Sequence, residues 1–203
     1  CIGIIVGYYY YLSNHGKKDV ENSTEISKVD EALSRDLAKD YPPTPREVVK
    51  FYNKLLQCFY NEDCSKSEIE ELGGQARLLM HDALLANNPK EQYLTLLESD
   101  IQDSKDKGKT ISDTTVANSS DIKYQKVKGE ECAYVTASYL VKEGNSYTRT
   151  YEEYVLRKDT NKQWKILGYD VRTYLPSVYH NCCRGLITRT FDCEDFFFFL
   201  TTH

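Results

Sequence analysis

The spacing of apolar residues changes once along this chain, at Gly108. From Thr44 to Gly108 they recur every three or four positions, as Val48, Tyr52, Leu55 and Phe59 do, which is the stripe of a helix packed on one side. Beyond Gly108 they alternate. Ala133, Val135, Ala137, Tyr139 and Val141 share one face of a strand, while Cys132, Tyr134, Thr136, Ser138 and Leu140 share the other. The first set is the more apolar and is assigned to the core. Helices that all precede the strands cannot form βαβ crossovers, so the expected fold class is α+β, with N-terminal helices packed on an antiparallel sheet.

Start and stop signals divide the helical half. Glu25 to Lys39 carries Ile26, Val29, Leu33 and Leu37 on a narrow stripe, a lead helix ending before Tyr41-Pro42-Pro43. Thr44, Pro45 and Glu47 then supply a cap, a first-turn proline and the third member of a capping box. This helix is widened by Val49, Leu56 and Tyr60 and ends near residues 61–63. Ser65 and Glu68 repeat the box and open a helix through Leu72 and Leu79 towards Leu85. Gly73-Gly74 falls in its middle, marking a break or a close approach to another element. Asn88-Pro89 starts a last helix bearing Tyr93, Leu94, Leu97 and Ile101. Strands are expected near 110–118, 121–128, 131–142, 146–157 and 163–173, joined as a meander, with turns at Glu143-Gly144-Asn145 and Asp159-Thr160-Asn161.

Charge and cysteine content exclude several classes. The net charge is -5, and the 26 basic residues are scattered among 31 acids, so nucleic acid is not an expected partner. The seven cysteines form no CxxC, and metal binding and cofactors have no support. Cys58 and Cys64 could bridge across a helix end in an oxidising compartment; ordinary thiols are the expectation. Tyrosine is abundant, 17 copies against 7 Phe and 1 Trp, which suits half-buried sheet faces and membrane interfaces.

Residues 1–12 are uncharged and apolar or aromatic. As helix they rise about 18 Å, short of a bilayer, and read as the C-terminal part of a transmembrane anchor. Tyr8 to Tyr11 would sit at headgroup depth, with Lys17 and Lys18 beyond them. A cleaved signal peptide would need a small-residue site where the tyrosines stand, and a lipoprotein a polar stretch after Cys1. The expected localisation is therefore the cell membrane, single-pass, with the soluble domain extracytoplasmic by analogy. Residues 13–40 form a tether and lead helix, and residues 41–172 the α+β domain.

Two stretches carry a family resemblance. Tyr-Pro-Pro-Thr-Pro-Arg-Glu-Val-Val-Lys-Phe-Tyr at 41–52, with Leu-Leu-Ala-Asn-Asn-Pro at 84–89, is one; the other is Ser-Tyr-Thr-Arg-Thr-Tyr-Glu-Glu-Tyr-Val-Leu-Arg-Lys-Asp at 146–159, completed by Trp164-Lys165-Ile166-Leu167. Together they resemble an uncharacterised family of membrane-anchored proteins of Clostridia-like bacteria. The second also resembles the closing hairpin of the nuclear-transport-factor-two-like superfamily, which includes ketosteroid isomerase and SnoaL-like cyclases. That resemblance implies a cone, with helices in the concavity of a curved sheet, and transfers no reaction and no catalytic residue. It covers residues 1–170. The tail at 173–203 is atypical: residues 171–203 hold three of the seven Cys and five of the seven Phe, including Phe196 to Phe199. A shifted reading frame or other non-native end accounts for it as well as a functional tail does.

An enzyme of that superfamily needs a carboxylate or His inside the cone and a donor for developing negative charge. The candidates are Glu152, Glu153 and His81, with hydroxyls from Tyr134, Tyr139, Tyr151 and Tyr154. Alternation sets Glu152 with Tyr154 on one face and Glu153 with Tyr151 on the other, a pairing that an exposed sheet face would also show. No serine elbow, HExxH, phosphate loop or dinucleotide fingerprint occurs. The expected function is thus a non-catalytic module that binds a protein or small-molecule partner. The alternatives are a small-molecule isomerase or cyclase-like enzyme and a structural spacer. A cavity of roughly 300 Å³ or more, holding one carboxylate and converging Tyr hydroxyls, would favour a small ligand; a filled interior would favour a protein partner.

Overall fold

The computed structural model describes residues 27–172, so the expectations for the anchor at 1–12, most of the tether and the tail at 173–203 lie outside the described residues. Helices α1 (Lys28–Leu33), α2 (Pro45–Asn61), α3 (Lys66–Leu78), α4 (Asp82–Ala86) and α5 (Lys90–Asp106) precede strands β1 (Lys109–Val116), β2 (Lys123–Val127), β3 (Glu130–Glu143), β4 (Ser146–Lys158) and β5 (Trp164–Arg172). The fold is α+β with a wholly antiparallel sheet. Among the described residues no helix is long and apolar enough to cross a membrane.

Thr44 accepts from the Glu47 amide and Pro45 opens α2, but the expected box is not reciprocal there, since the Glu47 carboxylate faces Arg46 and Lys50 instead. Ser65 and Glu68 close a reciprocal box at α3. Helix α2 is the central beam: Val48, Val49 and Leu55 are fully buried, and Phe59 nearly so, against the inner face of the sheet. Asn61 fixes its far end. The side chain donates to the Ile111 carbonyl and accepts from the Ile111 amide, both at 2.8 Å, imitating a neighbouring strand beside the bulge between Ile111 and Asp113. At the near end Arg46 Nε donates to the Ala117 carbonyl at 2.9 Å. These two ties hold α2 across β1 and set the gap above the sheet in which a cavity forms.

Three expectations are corrected. The lead helix is α1 alone, six residues long. Asp36 accepts from the Ala38 amide and Arg35 donates to the Asp40 carbonyl, local bonds that compete with helix continuation. The long second core helix breaks after Leu78 rather than at Gly73-Gly74. There the backbone pairs with β5: the His81 amide donates to the Ile166 carbonyl and the Ile166 amide to the Leu79 carbonyl, each at 2.8 Å. Gly73 instead marks a close approach, since a Cβ there would lie 2.7 Å from a methyl of Leu94. Finally, the sheet is not a simple meander. β1 and β2 both pair with the long β3, end to end, with a 3-10 turn at Ser119–Asp121 between them, and β4 and β5 follow on the other side.

Candidate functional site

Register decides what the inner face of the sheet carries. Val135 pairs with Tyr154 and Ala137 with Glu152, and Tyr154 pairs in turn with Tyr169 of β5. Residues on paired positions share a face, so Tyr139, Glu152, Tyr154 and Tyr169 all project towards α2. Between them and the helix lies a cavity of about 430 Å³. Helix α2 supplies Tyr52, Leu56 and Tyr60, β1 supplies Ile111, and β3 adds Val141. The inner end is walled by the buried rings of Tyr52, Tyr139 and Tyr154. The other end is polar and solvated, with Thr148, Thr150, and Lys109 facing Glu143 at 3.8 Å. A smaller chamber of about 60 Å³ adjoins it behind Tyr60 and Tyr169, closed by Phe59, Tyr93, Leu97 and Asp100. The Tyr60 hydroxyl donates to the Asp100 carboxylate across that partition.

A hydrogen-bonded chain crosses the inner end of the cavity. Tyr139 donates to Asn53 Oδ1 at 2.7 Å, Tyr139 and Tyr154 hydroxyls are 2.7 Å apart, and Tyr154 donates to Glu152 Oε2 at 2.6 Å. A phenol carries one proton, so two hydroxyl protons serve these three contacts. A proton on Glu152 completes the chain, each hydroxyl then donating towards Asn53. Turning the Asn53 amide also completes it, with both hydroxyls donating towards an ionised Glu152. The second arrangement uses Asn53 Nδ2, which is buried and has no hydrogen-bond partner among the described residues. The chain therefore has two proton directions, selected by the charge on Glu152.

The electrostatics follow from burial. Desolvation raises the Glu152 carboxyl above the ordinary glutamate range, partly offset by the Tyr154 and Tyr139 hydroxyls. Burial pushes Tyr52 and Tyr154 far above the ordinary phenol value, and burial with nearby carboxylate charge does the same for Tyr60, Tyr139 and Tyr169. These tyrosines stay neutral and act as donors at any physiological pH. The wall is thus apolar rings with neutral hydroxyls, around one carboxyl whose charge is open to adjustment.

Of the residues expected from the sequence, Glu152, Tyr139 and Tyr154 come together. Glu153, Tyr151 and Tyr134 lie on the opposite face of the sheet. His81 is corrected from a core-helix position to the cap of α4, where its Nδ1 accepts from the Ala83 amide at 3.1 Å. Burial lowers its pKa. Asn53, Tyr52, Tyr60, Asp100 and Tyr169 were not expected at the site. Asn53 carried one readable signal, an amide on the buried stripe of α2 between Tyr52 and Leu56.

No group of three or more His, Cys, Asp or Glu among the described residues is placed to hold a metal ion. Among the described residues Cys58, Cys64 and Cys132 form no disulfide; Cys58 is buried at the end of α2 and burial pushes its thiol up to about 11. Compared with known families, residues 1–169 match a domain of unknown function, DUF6715. The chain belongs to the DUF6715 family. The match runs from the first residue through all five helices and into β5, ending at Tyr169 on the cavity wall. No match to the sequence was found among curated proteins.

Proposed function

We propose that this DUF6715 domain is a small-molecule-binding module whose ligand occupies the cavity between α2 and the sheet. The observation that carries this is an open volume of about 430 Å³ containing a partly buried carboxyl, Glu152, that accepts from the Tyr154 hydroxyl, itself bonded to the Tyr139 hydroxyl. Drug-sized ligands occupy cavities of about 300–1,000 Å³ with apolar walls and a few oriented polar groups, and this one has that character. Leaving such a space unfilled costs packing energy, which a purely structural spacer has no reason to retain. In this reading the fold is the cone of the nuclear-transport-factor-two-like superfamily, and residues 1–12 tether it, single-pass, with the domain outside the cytoplasm.

The test is a ligand-library screen by thermal shift on the full chain, repeated on Thr150→Trp, which places an indole at the cavity mouth. Hits that stabilise the parent and not a folded Thr150→Trp support the module; hits indifferent to it refute the site. An isomerase or cyclase-like activity is a second reading, favoured by the raised Glu152 pKa beside two phenol donors. Turnover of any hit, lost in Glu152→Gln with binding retained, would establish it. The tether is tested by alkaline extraction of membranes from expressing cells: retention supports it and release counts against it.

A further inference from the structure

The ring and charge content of the cavity narrows the ligand class, an inference that rests on the binding reading above. The lining residues include two carboxylates, Glu143 and Glu152, and one ammonium, Lys109. Lys109 sits at the solvated end, 3.8 Å from Glu143, and its charge is answered there. Inward of that pair the cavity and its annex hold Glu152 and Asp100 and no basic side chain. The surfaces between the two acids are tyrosine rings, with Tyr60 and Tyr169 shared by both chambers. The Tyr60 hydroxyl donates to Asp100, and that bond makes its ring more electron-rich. Tyr169 feels the charge of both Glu152 and Asp100. Its ring also packs on Tyr154, with centroids 5.4 Å apart.

Aromatic faces and carboxylates in a partly desolvated space favour one sign of charge. A cation gains from the ring quadrupole and from Glu152, whereas an anion meets the same groups as repulsion. A neutral apolar molecule gains burial alone and leaves the carboxyl without a counter-charge. The hydrogen-bonded chain also suits a cation, because both hydroxyl protons and an Asn53 N–H can turn towards an ionised Glu152 and hold it in that state. We propose that the ligand is a small organic cation, an alkylated or quaternary ammonium on a compact body, with its charged head between Glu152 and the rings of Tyr60 and Tyr169.

A matched pair of probes tests this on the full, unmodified chain. Choline and 3,3-dimethylbutan-1-ol have nearly the same shape and differ by one charge, so a difference between them reports charge recognition rather than fit. Titration calorimetry and saturation-transfer NMR should show choline binding at least tenfold tighter. In Glu152→Gln, which is close to isosteric, that preference should collapse towards unity. Equal or tighter binding of the neutral alcohol would overturn the cation assignment while leaving the binding module standing. If neither probe binds but neutral library compounds bind in a manner sensitive to Thr150→Trp, the cation assignment again fails alone. If nothing binds, both readings fall. If Glu152→Gln does not fold, Tyr169→Leu is the second variant; an unchanged choline preference there would sink the role given to the rings.

Discussion

Tyr139→Phe removes one oxygen from a buried site and leaves the ring in place. Tyr139 is 3% exposed, and its hydroxyl contacts Asn53 Oδ1 and the Tyr154 hydroxyl, both at 2.7 Å. Each neutral hydrogen bond contributes about 1 kcal/mol net, and an unsatisfied buried polar group costs about 1–3 kcal/mol. The variant loses both bonds and leaves Asn53, 2% exposed, with neither amide atom partnered. The expected destabilisation is about 2–3 kcal/mol. With a urea slope of about 2 kcal/mol/M, the midpoint falls by about 1–1.5 M. The single tryptophan, Trp164, is buried and reports the transition by fluorescence. Tyr124→Phe, at a residue 60% exposed, is the control and should stay within about 0.5 kcal/mol. Asn53→Leu combined with Tyr139→Phe should cost less than the sum of the single changes by at least about 1 kcal/mol, because the second change no longer orphans a partner. A Tyr139→Phe midpoint indistinguishable from that of Tyr124→Phe would refute the buried chain.

Four further outcomes follow from the same geometry. Because the folded pKa of Glu152 is raised, the native state holds its proton more tightly than the unfolded chain does; stability falls as pH rises from the ordinary glutamate value through the raised one, and Glu152→Gln should flatten that part of the urea-midpoint profile. Gly74→Ala should raise stability by about 1 kcal/mol through helix propensity, since nothing lies within 4 Å of an added Cβ, while Gly73→Ala should gain less because Leu94 must move aside, both read from urea midpoints. Leu55→Ala, at a fully buried position on α2, should cost about 2–5 kcal/mol in the same assay. Iodoacetamide at neutral pH, followed by peptide mass mapping, should label half-buried Cys64 before buried Cys58, both slowly because desolvation raises their thiols.

How much of this was legible beforehand depends on how local its cause is. The change of period at Gly108, the capping box at Ser65 and the inward face of β3 are decided by neighbouring residues, and each formed as read; at Thr44 the cap formed without the return bond from Glu47. The break after Leu78 was not legible, because its cause is a pair of backbone bonds to Ile166, far along the chain. The placement of β1 and β2 end to end on β3 is likewise a matter of pairing, and alternation within each strand is blind to it. The same limit applies to the site. Alternation put Glu152 beside Tyr154, but only the β3–β4 register brings Tyr139 to them. Asn53 and Tyr60 arrive from a helix about ninety positions earlier, and Tyr169 from the next strand. On the helical side, the amide of Asn53 on a buried stripe was the readable sign that polar chemistry faced the sheet.

Amide chemical-shift mapping shows whether a ligand sits between α2 and the sheet. The best-stabilising compound from the library is titrated into the isotopically labelled protein. A ligand there should move most the amides of Leu56, Tyr60, Thr150, Glu152 and Tyr169, which line one cavity from three different elements. Shifts confined to the opposite face of the sheet, around Tyr151 and Glu153, would contradict it and move the working surface to the outside of the domain.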